Sequence, residues 1–142
     1  MPLDKFDLLG PALRAVGDET MRIVGGTPDG VLLYVEIGEG WVSPDIFKDE
    51  GSSVTYVDIG ESRIWQLLIE AWCLEPEDKR WTTMNYTIDH GKFDAQFDFD
   101  DLEGSGEDSL DRRERVLRAR FGDKPVVYPP PSPHAWTLKP PA

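Results

Sequence analysis

In the stretch GKFDAQFDFDDLEGSGED, residues 91–108, the carboxylates Asp94, Asp98, Asp100, Asp101 and Glu103 interleave with Phe93, Phe97 and Phe99 and continue where the aromatics stop. Such a row can serve a metal or catalytic site, offer fixed negative charge to a basic partner, or be the wet face of a strand. An EF-hand needs oxygen ligands at loop positions 1, 3 and 5 and glycine at 6. Counted from Asp98 the fifth position is Leu102, and counted from Asp94 the sixth is Phe99, so neither register fits. An irregular divalent-cation site built from Asp98, Asp100, Asp101 and Glu103 is left as the enzymatic alternative.

Other chemistries find less support. Pro44-Asp45 and Glu77 to Lys79 imitate the two carboxylates and lysine of a magnesium nuclease, yet the second group follows a helix instead of lying on a strand beside the first. The two histidines are His90, at a hairpin tip, and His134, in a proline-rich segment, and no Gly-x-Ser-x-Gly elbow occurs. His90 reads as a turn residue tolerant of positive φ. The single cysteine, Cys73, rules out an internal disulfide and reads as a core thiol near the end of an apolar helix. GGTPDG lacks the lysine of a phosphate-binding P-loop. Outside the acidic row these readings leave no catalytic residue, no metal ligand set and no cofactor.

With 27 acids against 15 bases the net charge is −12, which disfavours nucleic acid and anionic membranes and favours basic proteins. No basic region precedes an apolar run at the start, and no segment approaches the roughly 18 apolar residues of a bilayer span. The expectation is a cytoplasmic protein of one domain.

The elements that must hold the acidic row follow from periodicity. Phe6, Leu9, Leu13 and Val16 predict a first helix over Asp4 to Val16, interrupted near Gly10-Pro11. MRIV and VLLYVEIG, separated by GGTPDG, predict a hairpin, and SVTYVDIG another short strand, whereas residues 41–53 are sparse in apolar side chains. Ile64, Leu67, Leu68 and Ala71 predict a second helix, opened by a capping box at Asp58 and Glu61 and followed by Pro76.

Met84, Tyr86 and Ile88 alternate, then Phe93, Ala95, Phe97 and Phe99 return after DHG, so a hairpin places Asp94, Gln96 and Asp98 on the face opposite the rings. A last helix, with Ser105 and Asp108 at capping positions and Leu110, Leu117 and Phe121 along it, ends at Gly122 with arginines in its C-terminal half. The fold class is therefore α+β, a mostly antiparallel sheet flanked by about three helices over residues 1–123. Residues 124–142 form a proline-rich tail, partly docked through Tyr128 and Trp136.

The run from RWTTMNYTIDHGKFDAQFDFDD through RRERVLRARFG resembles the YezG-like immunity proteins of bacterial polymorphic toxin systems, on Trp81, Gly91, Phe93, Phe97, Phe99, Asp100, Asp101 and the arginines beyond. The resemblance covers the second half of the chain. It implies an α+β protein without catalytic activity that binds and neutralises a toxin, often a nuclease, inside the producing cell. The Gly10-Pro11 interruption and the long proline-rich tail depart from the family pattern. The first expectation is thus an immunity or antitoxin protein whose Asp94, Asp98, Asp100, Asp101 and Glu103 contact a basic partner. The alternatives are a metal-dependent enzyme using the same carboxylates and a scaffold whose tail prolines are read by a partner domain.

Overall fold

The computed structural model describes residues 5–104 and 106–129, with side chains from Leu9 onward. Helix α1 (Lys5–Val24) is followed by β1 (Val31–Gly38), β2 (Trp41–Asp49), β3 (Val54–Val57), α2 (Ile64–Cys73), β4 (Thr83–Asp89), β5 (Lys92–Asp98), α3 (Ser109–Phe121) and β6 (Val126–Val127). The six strands form one sheet in the order β5-β4-β1-β2-β3-β6, antiparallel except where β6 joins β3 in parallel. The fold is α+β, as the sequence pattern predicts.

β1 lies at the centre, and its residues Val31 to Ile37 are buried on both faces because helices cover both. Val31, Leu33, Val35 and Ile37 point towards α1 and α2, packing with Leu13, Val16, Ile64, Leu68, Met84 and Tyr86. Leu32 points the other way, into a smaller cluster with Phe47, Val54, Leu117 and Phe121 under α3. Helices on one side, sheet in the middle and one helix on the other make a three-layer arrangement.

Helix α1 is longer than its apolar spacing predicts. It runs through Pro11 and Gly17 and absorbs MRIV, which the β-rich composition assigned to a strand. Tertiary packing overrides the local preference: Thr20 is buried, its hydroxyl donating to the Val16 carbonyl at 2.7 Å, and Met21, Ile23 and Val24 pack against the main core. Gly17 is required there, because a Cβ would stand 2.2 Å from the Tyr86 phenol oxygen, which donates to the Leu13 carbonyl at 2.8 Å.

The partner of β1 is therefore β2, the stretch that looked too poor in apolar residues to be a strand. Proline is tolerated in it because β3 pairs only with Ile46 to Asp49, leaving Pro44 beside an edge that needs no N–H from it. Helix α2 buries Ile64, Leu67, Leu68 and Ala71 as predicted, but its start is capped differently. The Ile64 N–H donates to Ser62 Oγ at 3.0 Å, and the Ser62 hydroxyl donates to Glu19 of α1 at 2.5 Å, so α1 supplies the anchor in place of the Asp58 and Glu61 box.

Strands β4 and β5 form the predicted hairpin. His90 and Gly91 at its tip have φ of 55° and 75°, the two positive angles a tight type I′ turn needs. Asp108 caps α3 by accepting from the Asp111 N–H at 2.8 Å, and Gly122 ends the helix with φ of 65°. Lys124 then pairs with Asp49 at 2.9 Å, and Tyr128 packs on Tyr56 with ring centres 5.3 Å apart. Trp136 lies outside the described residues.

Candidate functional site

The acidic row sits on the outermost strand. In the β4–β5 register Met84 faces Phe97, Tyr86 faces Ala95 and Ile88 faces Phe93, which turns Phe93, Ala95 and Phe97 towards α1 and Asp94, Gln96 and Asp98 towards the α3 side. Phe93 stacks on Tyr86 at 5.1 Å and Phe97 meets Trp81 at 5.2 Å, so the rings fix which way the aspartates point. The strand stops at Asp98, earlier than the aromatic alternation predicts, and Phe99 is 60% exposed. The register explains this: Asp98 pairs with Thr83, the first residue of β4, and Thr82 then receives the chain end through N–H to Asp98 carbonyl and hydroxyl to Asp100 carbonyl bonds of 2.8 and 2.7 Å.

Helix α3 covers the β1–β3 half of its face and leaves the polar half, β4 and β5, open. Between them runs a trough made of two adjoining hollows of about 180 and 320 Å³ that share Asn85, Gln96, Arg115 and Val116. Asp94, Asp98 and Asp100 line its strand side. Asp101 and Glu103 stand outside it on the loop to α3, where the Asp101 carboxylate accepts from the Glu103 N–H at 3.1 Å. All five acids are exposed. Three of them thus share the trough, and two extend the same negative rim beyond it.

The nearby arginines do not neutralise the row. Arg112 pairs with Glu36, Arg113 with Asp45, Arg115 with Glu107, Arg118 with Glu114 and Arg120 with Asp89. Among the described residues, no lysine or arginine forms an ion pair with Asp94, Asp98, Asp100, Asp101 or Glu103. The hydrogen bond and charge of Glu107 raise the Arg115 guanidinium pKa, and Asp100 across the trough adds only the smallest contribution.

The residues that hold the loop in place lie deeper, and the sequence reading passed over them. Glu36 interrupts an otherwise apolar run on β1 and is 3% exposed. It accepts two bonds from Arg112 and one from the Tyr34 hydroxyl at 2.6 Å. Burial pushes the Glu36 carboxyl up, but hydrogen bonds from Arg112, Tyr34 and Ser109 outweigh it and hold the group below its ordinary value, while burial raises Tyr34. Arg112 also donates to the carbonyls of Leu102 and Glu107, fastening both ends of the loop that carries Glu103. A glutamate inside a buried strand was the available signal, since such a charge requires a partner.

Asp45 belongs to the α3 side, bonded by Arg113 and by the Tyr56 hydroxyl at 3.0 Å, whereas Glu77 to Lys79 form a short turn after α2 in the opposite layer. The nuclease-like residues are thus not brought together. Among the described residues no three His, Cys, Asp or Glu side chains are grouped so as to hold a metal ion. Cys73 is exposed and not in the core, because the helical turn that buries Ala71 places Cys73 on the outer side of α2. Trp41 is exposed and Trp81 is buried. Among the described residues no helix is long and apolar enough to cross a membrane. No protein-family model matches the chain, and no curated protein matches it.

Proposed function

We propose that the chain is a non-catalytic binding protein of the YezG-like immunity kind, which neutralises a basic toxin domain by covering it with the β5 rim. The observation that carries this reading is the unneutralised row itself: five exposed carboxylates on a rigid hairpin and its loop, beside arginines that are already committed to other acids. Exposed charge left without an ion-pair partner in the free protein is available to one in a complex, and charge-assisted hydrogen bonds to Lys or Arg are the strong kind. A net charge of −12 steers a basic partner towards the surface before contact. The outer backbone edge of β5, the last strand of the sheet, adds hydrogen-bonding groups along the same rim.

The test is association kinetics with the cognate partner, captured from the native organism with the full chain as bait. Reversing Asp98, Asp100 and Asp101 to lysine slows association by roughly tenfold at low salt and flattens its salt dependence. Unchanged kinetics would remove the row from the mechanism. Calorimetric titration with magnesium, manganese and calcium separates the enzymatic alternative: saturable uptake lost in Asp100→Asn would favour that reading instead.

A further inference from the structure

Helix α2 is apolar nearly all round, which is the pattern of a helix covered on every side, yet among the described residues only one side is covered. Ile64, Leu67, Leu68 and Ala71 face the sheet. Trp65 and Ile69, one turn apart on the opposite side, are 38% and 42% exposed, and Cys73 continues their stripe. Leu74 is also exposed just past the helix end, and Trp72, held by a bond from its indole N–H to the Trp81 carbonyl at 2.8 Å and overlain by Arg80 at 4.7 Å, forms a rigid margin.

We propose that this outer face of α2 is a homodimer interface, on which a second copy of the chain packs antiparallel about a two-fold axis, Trp65 over the partner's Ile69 and Arg63 opposite the partner's Glu70. The occupant is read from charge. The chain carries −12 overall, so most contacts between two copies are repulsive, but residues 62–74 hold one arginine and one glutamate and are locally neutral. Those two charges lie seven residues apart on one flank of the helix, Arg63 before the first turn and Glu70 in the last. In an antiparallel pair about a two-fold axis, residues on the same flank face each other, so Arg63 meets Glu70 twice. Arg63 has no ion pair among the described residues and is free to do so.

The layer order makes the arrangement compatible with the acidic rim. α2 and the side chains of Asp94 and Asp98 lie on opposite faces of the sheet, so pairing through α2 holds the two negative rims apart and open. A ten-residue helix face is less than the roughly 800 Å² per partner of a standard interface, so the dimer is weak, with a dissociation constant on the order of 10 μM. This inference is independent of the toxin-neutralising role.

Sedimentation velocity of the full chain over a concentration series up to about 200 μM tests it. The weight-average mass is expected to climb from the 16.0 kDa of one chain towards twice that value. Ile69→Glu weakens the dimer at least about tenfold, with far-ultraviolet circular dichroism unchanged because the side chain is exposed. Arg63→Glu and Glu70→Arg each weaken it about threefold, and the double reversal restores it to near wild type. A wild-type chain that stays monomeric throughout overturns the proposal, including the case in which removing residues 130–142 unmasks association. Association untouched by Ile69→Glu, or a double reversal no better than the singles, overturns the interface or its register.

Discussion

Arg112 and Glu36 meet as a two-pronged pair across 76 positions of sequence, Nε to Oε2 and Nη2 to Oε1 both at 3.0 Å, under the first turn of α3. The pair joins the central strand to the last helix, and through the carbonyls of Leu102 and Glu107 it also sets the path of the acidic loop.

Removing one member leaves the other charged and buried. Arg112→Ala is expected to lower the unfolding free energy by about 3 kcal/mol. A triple replacement, Tyr34→Phe with Glu36→Leu and Arg112→Met, recovers most of that loss, because it removes the buried polar groups together. Denaturant melts report the stability, and hydrogen exchange reports a further effect: amides of residues 102–104, 106 and 107 exchange faster in both variants, since both lack the guanidinium that ties the carbonyls of Leu102 and Glu107.

Gly17 and Tyr86 form a close contact that a double-mutant cycle can read. Gly17→Ala is expected to cost about 2 kcal/mol, because the new methyl group falls against the phenol oxygen in a packed core. In a Tyr86→Phe background the oxygen is gone and the same alanine costs clearly less. Equal costs in the two backgrounds would show that helix α1 yields instead.

Acid should weaken the fold through its paired glutamates. Hydrogen bonds from Arg22 and Ser62 hold the Glu19 carboxyl at about 2, and Glu36 also lies below the ordinary glutamate value of 4.5. Both are lowered in the folded state, so their contributions are fully present above pH 4.5 and are lost as the pH falls through the folded values. Denaturation midpoints are therefore expected to be level near neutrality and to fall below pH 4.5. Glu19→Gln flattens the decline between pH 4.5 and 2, and the difference between the two proteins removes the general relief of repulsion from the comparison.

Cys73, placed on the outer side of α2, is open to reagents in the native state. With the chain well below about 10 μM, where it is monomeric, a thiol-reactive maleimide is expected to label it without denaturant, at a rate within about tenfold of that in the unfolded chain. Protection that disappears only on unfolding would contradict the position of the helix.

What could be read in advance was what repeats. The β4–β5 hairpin and the inner stripe of α2 are strictly periodic, and both stand where the pattern put them. β2 is not periodic: its proline and charged residues are tolerated because one stretch of its edge is unpaired, a fact of the whole sheet and not of the segment. MRIV reads as a strand until α1 is seen to continue beneath it. The five acids were legible as a row, but Phe99 was not legible as exposed, since the strand ends where its neighbour begins. Glu36 and Arg112 could not be matched from sequence because only the docking of α3 makes them neighbours.

The late arrival of β6 bears on biosynthesis. Val54 and Thr55 find their outer partners in Val126 and Val127, so while the ribosome is still making α3 the flank of β3 has no mate. An emerging chain with a vacant strand flank can recruit the wrong neighbour, and a chain truncated just before Val126 keeps that vacancy permanently. Such a product would show its defect as clumping in the cell more than as a lower melting point, because two residue pairs add little to the sheet but close its border.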